Sequence, residues 1–263
     1  MRKIPRKVIA NIRCIFQLLR GLCAKTLVMM TILGFCCTSM QVQAEPVSEQ
    51  NDAPLAKIIE AYGGREKLAG VVSVSAEGRI KKYLPEDEGD YFRYMKRERK
   101  LLVEIRYRHS SETRILNGTK GYRGVGGKTE PVQGPAYIAM VYQYNQTDLP
   151  FGFLDGSFRV LSREKGSLDG AETEIFMLED NYRNDLEVHI DSKSFLILKV
   201  VGYFKVGRNR TSLTAEFSDF RKVEGILFPF RIVNFARNNR LSETTITKYS
   251  LNPVFNESRF RTD

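Results

Sequence analysis

From residue 71 onward the chain repeats one pattern: β-branched and aromatic residues alternate with polar ones in short runs, and each run stops at a polar or glycine-containing turn. Alternation at period two places successive side chains on opposite faces of an extended strand, so the pattern predicts sheet. The runs fall at 71–84, 91–97, 100–108, 113–116, 121–125, 158–163, 173–179, 185–190, 195–204, 211–221, 226–236 and 241–250. Asn117-Gly118 has the residue types of a tight hairpin turn, and Asp191-Ser192-Lys193-Ser194 those of a longer one. Parallel neighbours need crossover connections of about a dozen residues, usually helical, which the spacing does not offer, so an antiparallel meander is expected.

A sheet of about 11 strands tends to curl, and if it does not close tightly its concave face becomes an apolar trough. Leu101, Val103, Ile105 and Tyr107 share one face of their strand while Glu104, Arg106 and Arg108 take the other, which should be wet. Leu186, Val188 and Ile190 repeat the pattern against Glu187 and His189, whereas 195–204 and much of 226–235 are apolar on both faces. Leu101, Val103, Ile105, Leu186, Val188, Ile190, Phe228, Phe230 and Ile232 are therefore the candidate lining of a trough. The same alternation also fits a filled core, and periodicity alone does not choose between the two.

Two stretches depart from the strand rhythm. Asp52 can cap a helix with Pro54 in its first turn, and Leu55, Ile58, Ile59 and Tyr62 recur at helical spacing until Gly63-Gly64. The second, 135–156, reads as a short helix followed by an apolar loop interrupted by Pro150 and Gly152. Its Ile138, Val141, Tyr142, Phe151 and Phe153 need an apolar partner, and the open sheet face supplies one, either as fixed core cover or as a movable lid.

The first 44 residues hold seven basic residues, no acidic ones and all four cysteines. A basic n-region, an apolar stretch at 27–37 and Val42-Gln43-Ala44 fit an export signal cleaved before Glu45. The competing readings are a retained anchor, for which the apolar run is short, and lipidation at Cys36 or Cys37, which Phe35 disfavours. On this reading residues 1–44 are a signal peptide, 45–53 a polar lead-in and 54–263 one domain acting in the periplasm. Removing seven basic residues from 41, and none of the 31 acidic ones, leaves 34 against 31, about +3. Nucleic-acid binding then has little compositional support, and Lys96-Arg97-Glu98-Arg99-Lys100 reads as a solvated hairpin tip. The processed chain would contain no thiol and hence no disulfide or thiolate site.

Catalysis finds no motif. His109 and His189 are isolated and read as surface residues, giving no metal site. Residues 121–129 end in Gly-Gly-Lys-Thr but miss the phosphate-loop spacing and its strand-to-helix context, so a glycine-rich hairpin is expected. Glu86 with Glu88, and Glu179 with Asp180, read as turn residues, and there is no G-x-S-x-G elbow. No enzyme, no catalytic residue, no metal and no cofactor are expected; a hydrolase assembled from distant residues is the weakest alternative.

Several segments, in order, resemble one family. Tyr62-Gly63-Gly64-Arg65-Glu66-Lys67-Leu68 with 74–78, Val188-His189-Ile190-Asp191 with Leu196-Ile197-Leu198-Lys199, 217–229, and Asn252-Pro253-Val254-Phe255-Asn256-Glu257-Ser258-Arg259-Phe260 are similar to LolA-like proteins, the periplasmic lipoprotein-carrier and outer-membrane lipoprotein-sorting superfamily, of which this chain looks like a divergent member. The resemblance implies a mainly β fold, an incomplete antiparallel β-barrel covered by short α-helices, whose cavity holds lipid or lipoprotein acyl chains and carries them toward the outer membrane. It implies a monomer working between inner- and outer-membrane donor and acceptor proteins. The alternative from the same resemblance is an envelope sensory or protein-binding module.

Overall fold

The computed structural model describes residues 47–261. The proposed signal peptide, its cleavage point and the four cysteines lie outside the described residues. Helix α1 (Val47–Tyr62) and the five-residue α2 (Arg65–Ala69) come first. They lead into β1 (Ser73–Tyr83), β2 (Glu86–Lys96), β3 (Lys100–Tyr107), β4 (Ser111–Asn117), β5 (Lys120–Val125) and β6 (Thr129–Val132). Helix α3 (Gly134–Asp148) follows, and then β7 (Phe158–Leu168), β8 (Ala171–Asp180), β9 (Asp185–Asp191), β10 (Ile197–Val206), β11 (Asn209–Val223), β12 (Ile226–Ala236), β13 (Asn239–Leu251) and a 3-10 turn (Glu257–Phe260).

The thirteen strands form one antiparallel sheet in the order β6-β5-β4-β3-β2-β1-β13-β12-β11-β10-β9-β8-β7. Every strand pairs with its sequence neighbour except at two places. The first and last strands, β1 and β13, pair with each other in the middle of the sheet, with Val74 opposite Leu251. Strands β6 and β7 do not pair; they are the two free edges, and α3 is the connection between them. Register shifts at Glu77/Gly78, Val160/Ser162, Ile197/Lys199 and Asn234/Phe235 bend the sheet. The result is the expected curved, unclosed sheet with short helices over it.

Three elements differ from the sequence reading. Strand β6 carries no alternation signal, because Thr129-Glu130-Pro131-Val132 is short and polar and its proline is compatible only with an edge. Helix α1 starts at Val47, ahead of the expected cap at Asp52, so Pro54 lies inside it. Residues 121–129 do form a glycine-rich hairpin, but Glu86 and Glu88 lie within β2, and Glu179 and Asp180 close β8, where turns were expected.

The main core fills the concave side. Ile58, Ile59 and Tyr62 of α1 and Met140, Val141 and Tyr142 of α3 pack there with Leu101, Val103, Ile105, Leu186, Val188 and Ile190. The opposite face of β3 and β4 is not uniformly wet, since Leu102 and Ile115 are buried beneath Phe255 and Phe260 of the C-terminal segment. His189 is likewise not a surface residue: it is 7% exposed, its Nε2 lies 2.7 Å from a Glu187 oxygen, and the other Glu187 oxygen accepts the Tyr203 hydroxyl at 2.7 Å. His109, by contrast, is exposed in the bend after β3.

Candidate functional site: the cavity beneath α3

Helix α3 crosses the concave face, meeting β3, β4 and β5 on one side and β10 and β11 on the other. Two glycines let it come close. A Cβ built on Gly202 would overlap the Tyr142 ring, and one on Gly121 would press on Tyr137. Tyr142 is fixed over Gly202 by donating its hydroxyl to the Tyr203 carbonyl at 2.6 Å, and burial pushes its own titration up to about 12.

The segment after α3 is clamped to the β2–β3 hairpin, and here the expected solvated basic tip is corrected. Lys96 and Lys100 do face outward, onto Glu98 and Glu257. Arg99 is 7% exposed and the Arg97 side chain 16%. Arg97 donates to the Phe151 carbonyl at 3.1 Å, pairs with Asp155 and sits 3.6 Å from Asp148. Arg99 donates to the Gly118 carbonyl at 2.9 Å, lies 3.8 Å from Asp180 and covers the Tyr182 ring. Asn145 of α3 donates to the same Asp180, and the Tyr144 hydroxyl donates to the Arg97 carbonyl and accepts from the Arg99 amide. The charges point inward because the turn places both arginines against acids carried by the cover and by β8. Burial raises the Asp148 carboxyl to about 7; Arg97 pulls it down and Asp155 pushes it up.

Between α3 and the sheet lies a cavity of about 370 Å³, within the roughly 300–1,000 Å³ of small-molecule sites. Exposed Leu84 and Arg123 are part of its wall, so it reaches solvent near the β1–β2 turn and β5. One part of the wall is apolar and aromatic: Phe228 stacks on Tyr249 with ring centres 4.6 Å apart, and Phe151 lies 6.2 Å from Phe228. Another part is polar. The Nε atoms of Arg114 and Arg123 reach one Glu112 oxygen at 2.8 and 2.9 Å. Burial acts to raise the Glu112 carboxyl, but the two guanidinium groups bring it below its ordinary range. Gln143 of α3 accepts from Arg114 and donates toward the Tyr91 hydroxyl, joining the cover to this end.

Of the residues singled out by alternation, Phe228 and Ile232 line the cavity, as do Tyr142 and Phe151 of the cover. Leu101, Val103, Ile105, Leu186, Val188, Ile190 and Phe230 share the cavity's side of the sheet but lie in the packed core around it, together with Val141 and Phe153, and Ile138 packs partly buried against them. Alternation finds the face; where the face is filled and where it is hollow depends on how α3 lies across it. The polar lining Arg93, Glu112, Arg114 and Arg123 escaped notice, although Arg93 stands in the inward phase of β2 with Tyr91 and Met95, a visible anomaly in the pattern. Among the described residues there is no cluster of three metal-ligating side chains and no helix long and apolar enough to cross a membrane.

No family model matches this sequence, and no curated protein matches it. Solved structures are similar to it. A DUF1329 family protein from Desulfovibrio piger is 11% identical, with 80% of this chain and 96% of that one aligned at a TM-score of 0.51. A LolA superfamily protein from Nitrosomonas europaea is 15% identical over 78% of this chain and 96% of the other, with a TM-score of 0.48. An outer membrane lipoprotein-sorting protein domain from Vibrio parahaemolyticus is 12% identical over 78% and 95%, with a TM-score of 0.49. At 11% identity the alignment to the DUF1329 family protein is a likeness of fold alone.

Proposed function

We propose that the protein is an exported acyl-chain carrier of the periplasm, which holds lipid or lipoprotein acyl chains in the cavity beneath α3 and delivers them toward the outer membrane. The observation that supports this most is the solvent-reaching cavity of about 370 Å³ beside Phe228, Ile232, Tyr249 and Phe151. Each methylene buried there contributes about 0.8 kcal/mol. A carrier must also release its cargo, which requires the cover to exchange between closed and open states. No step of this activity requires a catalyst, and the partners are the cargo and the membrane proteins that give and receive it.

The test is native mass spectrometry of the protein isolated from the envelope without detergent, combined with analysis of solvent-extracted lipid. A stoichiometric acyl-bearing ligand is expected in the wild type and should be lost in Ala139→Trp, which fills the cavity from α3 while leaving the sheet untouched. A ligand-free mass, under conditions that keep lipid on an established carrier, would overturn this reading in favour of a protein-binding module.

A further inference from the structure

One cation in the cavity wall has no counter-charge. Arg93 is 7% exposed, and its Nε has no hydrogen-bond partner. Its nearest titratable neighbours are the hydroxyls of Tyr91 and Tyr249, with the Tyr249 ring centre 6.0 Å from the guanidinium carbon. The Tyr249 hydroxyl donates to the Pro229 carbonyl at 2.7 Å and turns its oxygen to Arg93, so the guanidinium has neutral phenol partners but no counter-ion. Among the described residues no carboxylate lies within ion-pair distance of Arg93. The cavity wall as a whole carries Lys82, Arg93, Arg114 and Arg123 against the single carboxylate of Glu112, which two arginines already share. A buried charge without a counter-ion is costly, and a core position of this kind would be better filled by an apolar side chain unless an anion enters. Guanidinium matches planar carboxylates and phosphates by paired donors.

We infer that the cavity takes an amphiphile with an anionic head, a carboxylate or phosphate that Arg93 receives, while its chain lies along Phe228 and Ile232. This rests on the acyl-carrier reading and specifies the class of cargo. Arg114, adjacent through Tyr91 and Gln143, adds a second positive charge to the same end.

The experiment is calorimetric titration of delipidated protein with palmitate, palmitoyl-lysophosphatidate, the uncharged monopalmitoylglycerol and inorganic phosphate. Both anionic amphiphiles are expected to bind at least about tenfold tighter than monopalmitoylglycerol, and Arg93→Gln should erase that preference. Arg93→Lys, which keeps the charge without the paired donors, should retain part of it, and it serves alone if Arg93→Gln does not fold. Equal binding of all three amphiphiles overturns the head-group inference and leaves the carrier reading standing. Failure of every amphiphile overturns both. Inorganic phosphate binding as tightly as the lysophosphatidate would make the site one for free anions, and overturns the amphiphile assignment.

Discussion

Arg93 and Arg97 stand four residues apart at the two ends of one short stretch of chain, and both are withdrawn from solvent, yet their surroundings are opposite. Arg97 meets Asp148, Asp155 and a main-chain carbonyl, all supplied by the cover. Arg93 meets two tyrosines and the cavity. The first arginine completes the protein's own structure, and the second leaves its charge to be completed from outside. Burial of a charge therefore does not identify a functional residue; the identity of its partners does.

The largest expected effect comes from removing the paired arginine. Arg97→Ala leaves Asp148 buried without its cation and the Phe151 carbonyl without its donor, and should cost about 3–5 kcal/mol in denaturant unfolding. Hydrogen exchange should rise first in α3 and in the segment that follows it. If the loss is below about 1 kcal/mol, the contrast between the two arginines fails.

Asp148 tests the same clamp through pH. Its carboxyl is raised to about 7 in the folded protein, against an ordinary value near 4. Between those values the folded state keeps a proton that the unfolded state has released, so this contribution to stability is full below about pH 4 and declines as pH rises through about 7. The swing is on the order of 4 kcal/mol. Asp148→Asn should flatten the wild-type decline across that window in unfolding curves measured at several pH values; an unchanged slope would show that the pair titrates as an ordinary ion pair.

The smallest effect, and the one of opposite sign, belongs to Arg93→Met. Removing an unpartnered charge should stabilise the ligand-free protein by on the order of 1–2 kcal/mol, read as a higher Tm. A destabilised Arg93→Met would place Arg93 with Arg97 as a structural residue.

Much of the architecture is legible in the sequence because alternation is a direct image of the pleat. Leu101-Leu102-Val103-Glu104-Ile105 and Leu186-Glu187-Val188-His189-Ile190 announce both a strand and its inward face. What escapes is set by contacts distant along the chain. Leu102 looks like an outward residue until Phe260, far along the sequence, covers it. Arg97 and Arg99 look solvated because nothing local shows that Asp148 and Asp180 will stand over them. Gly202 looks like an ordinary strand glycine until Tyr142 lies upon it. The cavity is hardest of all to foresee: a hollow is where packing stops, and alternation records only which side chains face inward.

The pairing of β1 with β13 has a consequence for how the molecule comes into being. The ladder at the centre of the sheet joins Val74 to Leu251, whereas the free edges, β6 and β7, come from the middle of the chain. During synthesis the two halves can zip up as local hairpins, each leaving one flank uncovered until the final strand arrives. Loss of the last strand to a premature stop would thus split the sheet down its midline instead of trimming its border, leaving two sticky half-sheets as the natural substrate of a chaperone or protease.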